Sequence, residues 1–306
     1  MADKVIITGG RGLIGQALTR ELVAHGYQVI VLSRQLPIFF PNNQPENVSY
    51  EMWDGRSAQG WGRLAEGARA IVNLAGENLS AGRWSGPRKQ RIRDSRVYAG
   101  QAVLQTVRQA RRKPGVVVQA SAVGFYGARG DQTLTEEAPP GSDFLAKVCV
   151  DWEASTAPVA EMKVRHVVIR TGVVLDAESG ALPDMALPFR LFLGGRLGSG
   201  RQYVSWIHLA DEVAAIRFLI EHAEASGPFN LTAPQPLTNA EFGRTLSKVL
   251  HRPYWLPVPA FALRLLLGEM SSVLLNGQRA IPQRLLQLGF TFRFPDAESA
   301  LRDLLT

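Results

Sequence analysis

The sequence predicts an α/β fold in which a doubly wound parallel sheet is followed by a smaller carboxy-terminal α+β lobe. Short runs rich in β-branched residues alternate with helical stretches through the first half of the chain, which is the βαβ rhythm of such a sheet. After about residue 176, Gly/Pro-rich segments separate mainly helical pieces. At 306 residues the chain exceeds the usual single-domain size. We therefore expect a large domain over residues 1–176 with parts of 200–235, and a small, mainly helical domain over 236–306.

Six apolar runs are the predicted strands. With one exception they lack a polar alternation, as expected of parallel strands that are buried on both faces of the sheet. They cover residues 4–8, 28–33, 48–53, 70–75, 115–121 and 164–170. Between the first two runs, Leu18, Leu22 and Val23 share one face of residues 13–26, and Gly26 closes the stretch, which predicts a helix and its cap.

Composition and charge narrow the class of protein. No apolar run reaches the ~18 residues that cross a bilayer, and no grouping of His, Cys, Asp and Glu has metal-ligand spacing. The amino terminus enters a strand without a signal-peptide pattern and Cys149 is the only cysteine, so we expect a cytoplasmic protein without disulfides. The net charge of +7 fits an anionic small ligand as well as nucleic acid, because the basic residues are spread out except at 88–96 and 108–113.

The first chemical signal is the glycine-rich stretch TGGRGLIG at residues 8–15, directly after a strand and before a helix. Glycines tighten such a turn and let a pyrophosphate approach the backbone, while the helix amino terminus offers unpaired N–H groups. This context predicts a dinucleotide site. The alternative is a glycine-rich turn that holds nothing. The predicted site here consists of Gly9, Gly12, Leu13, Ile14 and Gly15.

The end of the second strand distinguishes the two nicotinamide cofactors. An NAD site carries Asp or Glu there to hold the ribose 2′-OH, whereas this strand ends in Ser33 and Arg34. A hydroxyl and a guanidinium suit a 2′-phosphate, so NADP is the predicted cofactor and NAD fits less well. The alternative is that Arg34 is a solvated loop residue. Asp54, after the third strand, has two open interpretations: contact with the adenine amino group, or the cap of the following turn.

Six motifs distributed along the chain share a pattern: TGGRGLIG (8–15), NLAGEN (73–78), RIRDSRV (91–97), SAVGFYG (121–127), IRTGVVL (169–175) and WIHLADEVA (206–214). Together they resemble the extended short-chain dehydrogenase/reductases, and more narrowly their NAD-dependent epimerase/dehydratase-like branch of poorly assigned activity. The tail at 277–295 is similar to that branch's small carboxy-terminal domain of unknown function. The resemblance covers essentially the whole chain, and it implies a Rossmann-like domain, a cofactor of the NADP type and a carboxy-terminal substrate lobe.

The resemblance also implies roles for residues near the nicotinamide. Arg96 falls where relatives commonly place an active-site Asn, so it is expected to reach the cofactor or an anionic substrate; a salt bridge with Asp94 or Glu77 is the alternative. Val173 is expected to line the nicotinamide pocket, with core packing as the alternative. Asp211 would anchor a helix of the lobe, and we assign His208 no chemistry. The backbone expected to lie against the nicotinamide-side ribose is that of Leu74, Ala75 and Gly76.

The wider family uses a Tyr-x-x-x-Lys pair, in which the tyrosinate acts on a substrate hydroxyl and the lysine lowers its pKa and bonds the nicotinamide ribose. Here Lys147 fits the lysine place, but Asp143 stands four residues before it. In the neighbouring register Phe144 and Val148 take the two places. Neither register restores the pair, so the tyrosine is missing from the predicted site.

Four residues remain as catalytic candidates. Ser121 matches the family's catalytic serine place at the end of the fifth strand, and Tyr126 is the nearest phenol, with a packed, hydrogen-bonded aromatic as the alternative. Asp143 is a candidate base or the amino-terminal cap of a helix. Lys147 is a ribose or phosphate contact if it faces the cleft and a solvated lysine otherwise.

Two functions follow. The first is an NADP(H)-dependent oxidoreductase or epimerase that acts on a small polar substrate held between Ser121, Arg96 and the lobe. Small polar substrates here include anionic ones. The second is a catalytically decayed NADP(H)-binding redox sensor or partner-binding protein. We expect a monomer or homodimer without a membrane partner, and nucleic-acid binding is a distant third function because it needs a contiguous basic face.

Overall fold

A seven-stranded parallel sheet forms the centre of the molecule in the computed structural model, which describes residues 3–36 and 46–306. The order of its strands is β11-β7-β5-β4-β1-β2-β3. These strands are β1 (Lys4–Thr8), β2 (Gln28–Ser33), β3 (Val48–Met52), β4 (Ala70–Asn73), β5 (Val116–Ala122), β7 (Arg165–Thr171) and β11 (Gly227–Leu231). Short additional strands are β6 (Thr133–Leu134), β8 (Val173–Leu175), β9 (Tyr203–Val204), β10 (Trp206–His208), β12 (Leu237–Thr238) and β13 (Arg279–Ala280).

Helices cover both faces of this sheet and build the carboxy-terminal part. The longest is α2, which begins at Gly86 behind the N-cap Ser85. The α-helices are α1 (Leu13–Ala24), α2 (Gly86–Gln109), α3 (Phe144–Ala154), α4 (Leu182–Arg190), α5 (Leu209–Glu221), α6 (Asn239–Leu250), α7 (Ala260–Leu267), α8 (Ser272–Leu275), α9 (Gln283–Gln287) and α10 (Ala297–Leu305). Turns of 3-10 helix occupy Gly62–Ala65, Val123–Tyr126, Ala157–Met162 and Gly268–Ser271. Among the residues that the structure describes, no helix is long and apolar enough to cross a membrane.

The six predicted strands are confirmed, and the reason for their continuous apolar runs is visible in β1. Val5 and Ile7 belong to the core formed with α1 and α5, whereas Ile6 belongs to the core formed with α2, and all three side chains are fully buried. Helices therefore cover both faces of the sheet, as the doubly wound fold requires. The sequence did not single out the seventh strand, β11.

The strand order reverses between β1 and β4. From β1 the chain continues outward through β2 and β3, then returns to the other side of β1 and continues through β4, β5 and β7. In such sheets ligands bind in the crevice outside the carboxyl ends of the strands at this switch point. The glycine-rich turn after β1 and the turn after β4 both lie there.

A second core lies at the carboxy-terminal side of the molecule. It is built around Trp206, Phe242 and Leu301, and it also takes Leu182 and Phe189 from α4. Residues before 236 therefore contribute to the packing of this part of the chain. Conversely, the side chains of Leu285 and Phe290 join the core on the α1 and α5 face of the sheet.

The segment at the start of α5 joins these two parts of the molecule. The carboxylate of Asp211 accepts the backbone N–H groups of Arg293 and Phe294 at 2.8 and 2.9 Å. Nδ1 of His208 accepts the N–H of Ala210 at 3.0 Å as the N-cap of α5, and its Nε2 lies 3.3 Å from a carboxylate oxygen of Asp303. His208 is thus a structural residue, and Asp211 anchors the chain just ahead of α10.

Candidate functional site

The three glycines of the first turn have different structural reasons to be glycine. Gly9 has a φ of +67°, and a Cβ there would lie 2.8 Å from the carbonyl group of Leu74. A Cβ on Gly15 would lie 2.5 Å from Cα of Gly10. At Gly12 the nearest atom to a Cβ would be the Gly9 oxygen at 3.4 Å, an ordinary contact. Packing within the chain therefore explains Gly9 and Gly15, but it does not explain Gly12.

Gly12 is also the N-cap of α1, and no side chain caps this helix. The first N–H groups of a helix have no intrahelical partner and carry a partial positive charge, so an uncapped start is suited to an anion. Leu13 and Ile14, the first two residues of α1, are half-buried and pack against the core beneath the turn. At its glycines the turn thus presents backbone to any group above it, and Arg11 adds an exposed side chain.

Two arginines lie beside the end of β2. Arg34 is exposed and, within residues 3–36 and 46–306, has no hydrogen-bond or ion-pair partner. Arg11, from the glycine-rich turn, donates from Nη1 to the carbonyl of Gln35 at 3.0 Å. Ser33 Oγ donates to the same carbonyl at 2.7 Å. Arg11 is not among the predicted contacts, although its place inside the glycine-rich stretch is the signal that identifies it.

Asp54 caps the turn that follows β3. Its Oδ1 accepts the N–H groups of Arg56 and Ser57 at 2.8 and 2.9 Å, and its Oδ2 accepts the Ser57 hydroxyl at 2.8 Å. The capping alternative is therefore the one that the structure displays. A contact of Asp54 with adenine stays a prediction.

A cavity of about 760 Å³ lies between the carboxyl ends of β5 and β7 and the carboxy-terminal part of the chain. Val173 is in its wall, together with Gly124 from the turn after β5. Residues between Arg264 and Gln278, from α7 to the end of α8 and beyond, form the opposite wall. The cavity is thus placed where a reactive group at the sheet edge would meet a substrate. In the described part of the chain, no cluster of His, Cys, Asp and Glu could hold a metal ion.

Arg96 projects from α2 into this cavity. Its guanidinium carbon lies 4.9 Å from the ring centre of Trp152, and a Cβ on Gly76 would be only 3.1 Å from it. Nη1 donates to the carbonyls of Glu77 and Ile92 at 3.1 and 2.9 Å. Burial lowers the pKa of Arg96. A side chain at residue 76 would therefore require the Arg96 side chain to shift by a few tenths of an ångström.

The expected salt-bridge alternative for Arg96 is not what the structure displays. Arg88 and Arg91 approach Glu77 at 3.3 and 3.6 Å, and Arg93 approaches the neighbouring Asp94 at 3.5 Å. These three arginines take the two carboxylates, and Arg96 instead bonds backbone carbonyls. After β4, the N–H groups of Leu74 and Ala75 bond the backbone oxygen and the hydroxyl of Thr8 at 3.2 and 3.3 Å.

Helix α3 corrects the expected place of Lys147. Lys147 is exposed and does not line the cavity, whereas Leu145, Cys149 and Trp152 from the same helix do. The solvated alternative for Lys147 is therefore the one that the structure displays. On α3, the two cavity residues that are four positions apart are Leu145 and Cys149. This pair differs from both pairs that the sequence suggested, 143 with 147 and 144 with 148. Neither residue is a tyrosine or a lysine, so the family's pair is absent in this register too.

The candidate Asp143 and the neighbouring Cys149 line the cavity, and both are also engaged in the fold. Asp143 is the N-cap of α3, with Oδ1 accepting the N–H of Ala146 at 2.9 Å. Cys149 is buried, which raises the pKa of its thiol to about 11. At neutral pH the Cys149 thiol therefore keeps its proton.

Ser121 and Tyr126 belong to a buried polar network instead of the cavity wall. Ser121 Oγ donates to Glu153 at 2.6 Å, and Arg170 donates to both oxygens of the same carboxylate at 2.9 Å. Arg170 also donates to the Tyr126 hydroxyl at 3.1 Å, which donates to Asn230 at 2.6 Å. Burial raises the pKa of Tyr126. Tyr126 is thus the packed, hydrogen-bonded aromatic of the alternative interpretation.

The sheet with its switch point, the glycine-rich turn and the cavity define a Rossmann-like protein of the short-chain dehydrogenase/reductase type. Comparison with known proteins gives the family. The model of the NAD dependent epimerase/dehydratase family matches residues 5–232, and that of a domain of unknown function, DUF1731, matches residues 258–304. The chain belongs to the NAD-dependent epimerase/dehydratase family, which confirms the resemblance drawn from its motifs.

Relatives and solved structures extend this result over the full chain. The epimerase family protein YfhF of Bacillus subtilis is 40% identical over 302 residues, which are 98% of this chain and 97% of that protein. The crystal structure of human epimerase family protein SDR39U1 with NADPH is 32% identical and superposes with a TM-score of 0.87 over 98% of both chains. UDP-glucose 4-epimerase of Thermotoga maritima, solved with UDP-glucose, shares the fold at 16% identity and a TM-score of 0.78, covering 98% of this chain and 96% of that chain.

Proposed function

We propose that this chain binds NADP(H), with the pyrophosphate on the amino terminus of α1 and the 2′-phosphate between Arg11 and Arg34. The observation that carries the proposal is Gly12, where the chain leaves room for a side chain that it does not use. The two arginines beside the end of β2 would supply charge-assisted hydrogen bonds of the kind that a phosphate prefers, and Arg11 is held there by its bond to the Gln35 carbonyl. The human relative crystallised with NADPH supports the same choice of cofactor.

The cofactor choice can be tested by titrating the purified protein with NADPH and NADH in parallel. We expect NADPH to bind clearly more tightly, and Arg34→Ala and Arg11→Ala each to weaken NADPH at least tenfold while leaving NADH within about twofold, because charge-assisted hydrogen bonds contribute about 1.5–3 kcal/mol. Arg20→Ala is the matched control, since Arg20 is an exposed arginine on the outer surface of α1. Equal weakening of both nucleotides would contradict the assignment of these arginines to the 2′-phosphate.

We further propose that the protein is an oxidoreductase whose small substrate occupies the cavity beside the nicotinamide. Bound NADPH would supply the hydride. Arg96 would contribute a fixed positive charge at the cofactor end, and Val173 and Gly124 would exclude water from the reacting face. Of the groups predicted to hold a small polar substrate, Arg96 is the one that we retain, because the Ser121 hydroxyl bonds Glu153.

The alternative function, an NADP(H)-binding redox sensor without turnover, is favoured by one observation. In the register of α3 that faces the cavity, the two residues four apart are Leu145 and Cys149, and neither is the tyrosine or the lysine of the family's acid–base pair. A panel of aldehydes and ketones, followed by the loss of NADPH absorbance, separates the two functions. An enzyme should consume NADPH with at least one compound, and Arg96→Ala should reduce that rate at least tenfold. A sensor should bind NADPH and consume it with none.

We keep the cytoplasm as the proposed compartment, since the single cysteine is buried and unpaired.

A further inference from the structure

The part of the cavity farthest from the sheet has an apolar wall. Leu79 and Trp84 come from the loop before α2, and Phe144 comes from the start of α3. The Trp84 and Phe144 rings pack edge to face with centres 5.4 Å apart. Val273 and Leu275 of α8 close the other side. A ligand that entered here would be surrounded by aromatic and aliphatic surface.

Several polar side chains of this wall already have partners, whereas the side-chain amide of Asn276, which also lines the cavity, has no hydrogen-bond partner among the described residues. Trp84 donates its indole N–H to the carbonyl of Leu79 at 3.0 Å. Ser271 and Ser272 donate to backbone carbonyls within their own turn at 2.6 and 2.8 Å. Glu269 forms an ion pair with Lys89. A ligand rich in hydroxyl groups would lose its bonds to water here and gain few in return, which costs about 1–3 kcal/mol for each group left unpaired.

Two guanidinium groups that line the cavity keep free N–H groups. Arg264 of α7 is exposed and, in the described part of the chain, bonds no carboxylate or carbonyl. On the sheet side, Arg96 uses Nη1 for two backbone carbonyls, and within the same residues its Nε and Nη2 have no hydrogen-bond acceptor. Two positively charged side chains, Arg96 from α2 and Arg264 from α7, therefore line the same cavity as the apolar wall.

We propose that the substrate of this site is an apolar carboxylic acid, whose aromatic or aliphatic body packs against Trp84 and whose carboxylate pairs with Arg264. This inference rests on the proposed function only in that it places the reacting end of the acid beside Arg96 and the nicotinamide. It sets the site apart from that of the Thermotoga maritima epimerase, which was solved with the nucleotide sugar UDP-glucose. The apolar wall is the specificity element, because hydrophobic burial rewards the body of the acid and penalises a sugar.

Calorimetric titration of the full-length protein, with and without saturating NADPH, tests the inference. The probes are phenylbutanoate, its uncharged analogue phenylbutanol, and UDP-glucose. We expect phenylbutanoate to bind with a negative heat-capacity change, phenylbutanol to bind several-fold more weakly, and UDP-glucose to produce no binding heat. Trp84→Ala should weaken phenylbutanoate about tenfold, as loss of an aromatic contact surface requires, and Arg264→Ala should remove the difference between the acid and the alcohol.

Matched variants keep the result interpretable. Trp255→Ala and Arg190→Ala change an exposed tryptophan and an exposed arginine that do not line the cavity, so they should leave both probes unaffected. If Trp84→Ala fails to fold, Val273→Asp replaces it: Val273 is 47% exposed, and the new charge in the wall should abolish binding of the acid.

Tighter binding of UDP-glucose than of phenylbutanoate would overturn the inference. Undiminished binding of the acid to Trp84→Ala and Val273→Asp would also overturn it. NADPH binding without binding of any probe would overturn the inference alone and leave the proposed function standing. Binding of the acid without any binding of NADPH would overturn the proposed function and leave the inference about the substrate standing.

Discussion

At the scale of single residues, a substitution of Gly12 should affect NADPH binding but not the stability of the fold. A methyl group at this position meets only the Gly9 oxygen at 3.4 Å, but it would stand over the uncapped start of α1. We expect Gly12→Ala to weaken NADPH at least tenfold while changing the free energy of unfolding by less than about 1 kcal/mol. NADPH titration and urea denaturation measure the two effects.

Gly15→Ala is the contrasting variant, because its methyl group would lie 2.5 Å from Cα of Gly10. It should lower the stability of the protein itself, by the roughly 1–3 kcal/mol that overpacking costs. An unchanged affinity for NADPH in Gly12→Ala would mean that the pyrophosphate does not lie on this turn.

The outward position of Lys147 shows that the spacing of a motif alone does not determine which face of a helix a residue occupies. The family's Tyr-x-x-x-Lys pattern suggested a register, but the rotation of α3 is set by which residues it buries. Apolar residues stand at 144, 145, 148, 149 and 152, and this helical spacing already puts position 147 on the outer side. Reading the apolar spacing before the motif would have indicated Leu145 and Cys149 as the inward pair.

At the scale of elements, α5 buries a carboxyl group that should make stability depend on pH. Burial raises the pKa of Glu212 to about 8 from its ordinary value of 4.5. Its Oε1 accepts the Thr171 hydroxyl at 2.9 Å, and within the described residues Oε2 has no partner. Between these two values the unfolded chain has released the proton and the folded protein keeps it. The free energy of unfolding should therefore fall as pH rises through this window and level off above it.

Glu212→Gln should remove this fall, because an amide keeps the acceptor for Thr171 and cannot ionise. We expect the variant to gain stability relative to the natural protein, on the order of a few kcal/mol, between about pH 5 and about pH 9. Urea denaturation of both proteins at the two pH values is the measurement. A stability difference that is the same at both values would mean that Glu212 does not keep its proton in the folded state.

The network that joins β5, α3 and β7 should act as one unit. Arg170 is the only cation that the described structure places in hydrogen-bonding contact with Glu153, and the two side chains are 6% and 15% exposed. Arg170→Met should lower the free energy of unfolding by about 3–5 kcal/mol, because it leaves a buried carboxylate unpaired. Urea denaturation reports this loss.

The double variant Arg170→Met with Glu153→Gln is the control for that loss. It should recover much of the stability, since no uncompensated charge remains. A double variant that is destabilised by the sum of the two single changes would show that charge pairing is not what holds these three elements together.

The sequence predicted the sheet well for a physical reason and missed β11 for another. Strands that are buried on both faces must be apolar at nearly every position. The strands β1, β2 and β4 can therefore be recognised from the sequence without knowledge of the fold. Strand β11 begins with Gly227 and Pro228, which are turn signals, and only its last three residues are buried. It joins the sheet because β7 offers it an edge, which no local pattern encodes.

At the scale of the whole molecule, the distribution of charge weakens the case for nucleic acid. The basic stretch 88–96 lies on α2. Several of its arginines are occupied there: Arg88 and Arg91 face Glu77, and Arg93 donates to Asp151 at 2.6 Å. Arg96 points into the cavity. Part of the excess positive charge therefore lies in the cavity wall, which the net charge alone does not reveal.

The cavity itself is a property of the whole chain. Its walls come from β5, α2 and α3 on one side and from residues after 260 on the other, so no sequence window contains it. Predicted residues such as Arg96 and Val173 were found through their motifs. Trp84 and Arg264 lack a motif, and only the docking of the carboxy-terminal part, held by Asp211, brings them to the same space.

A crystal structure of the protein with NADPH tests the central claim most directly. We expect the pyrophosphate on the first turn of α1, the 2′-phosphate in contact with Arg11 and Arg34, and the nicotinamide at the mouth of the cavity beside Val173 and Arg96. The Lys147 side chain should remain in solvent. A nicotinamide that lies outside the cavity, or an NADPH that leaves Gly12 uncovered, would contradict this account of the site.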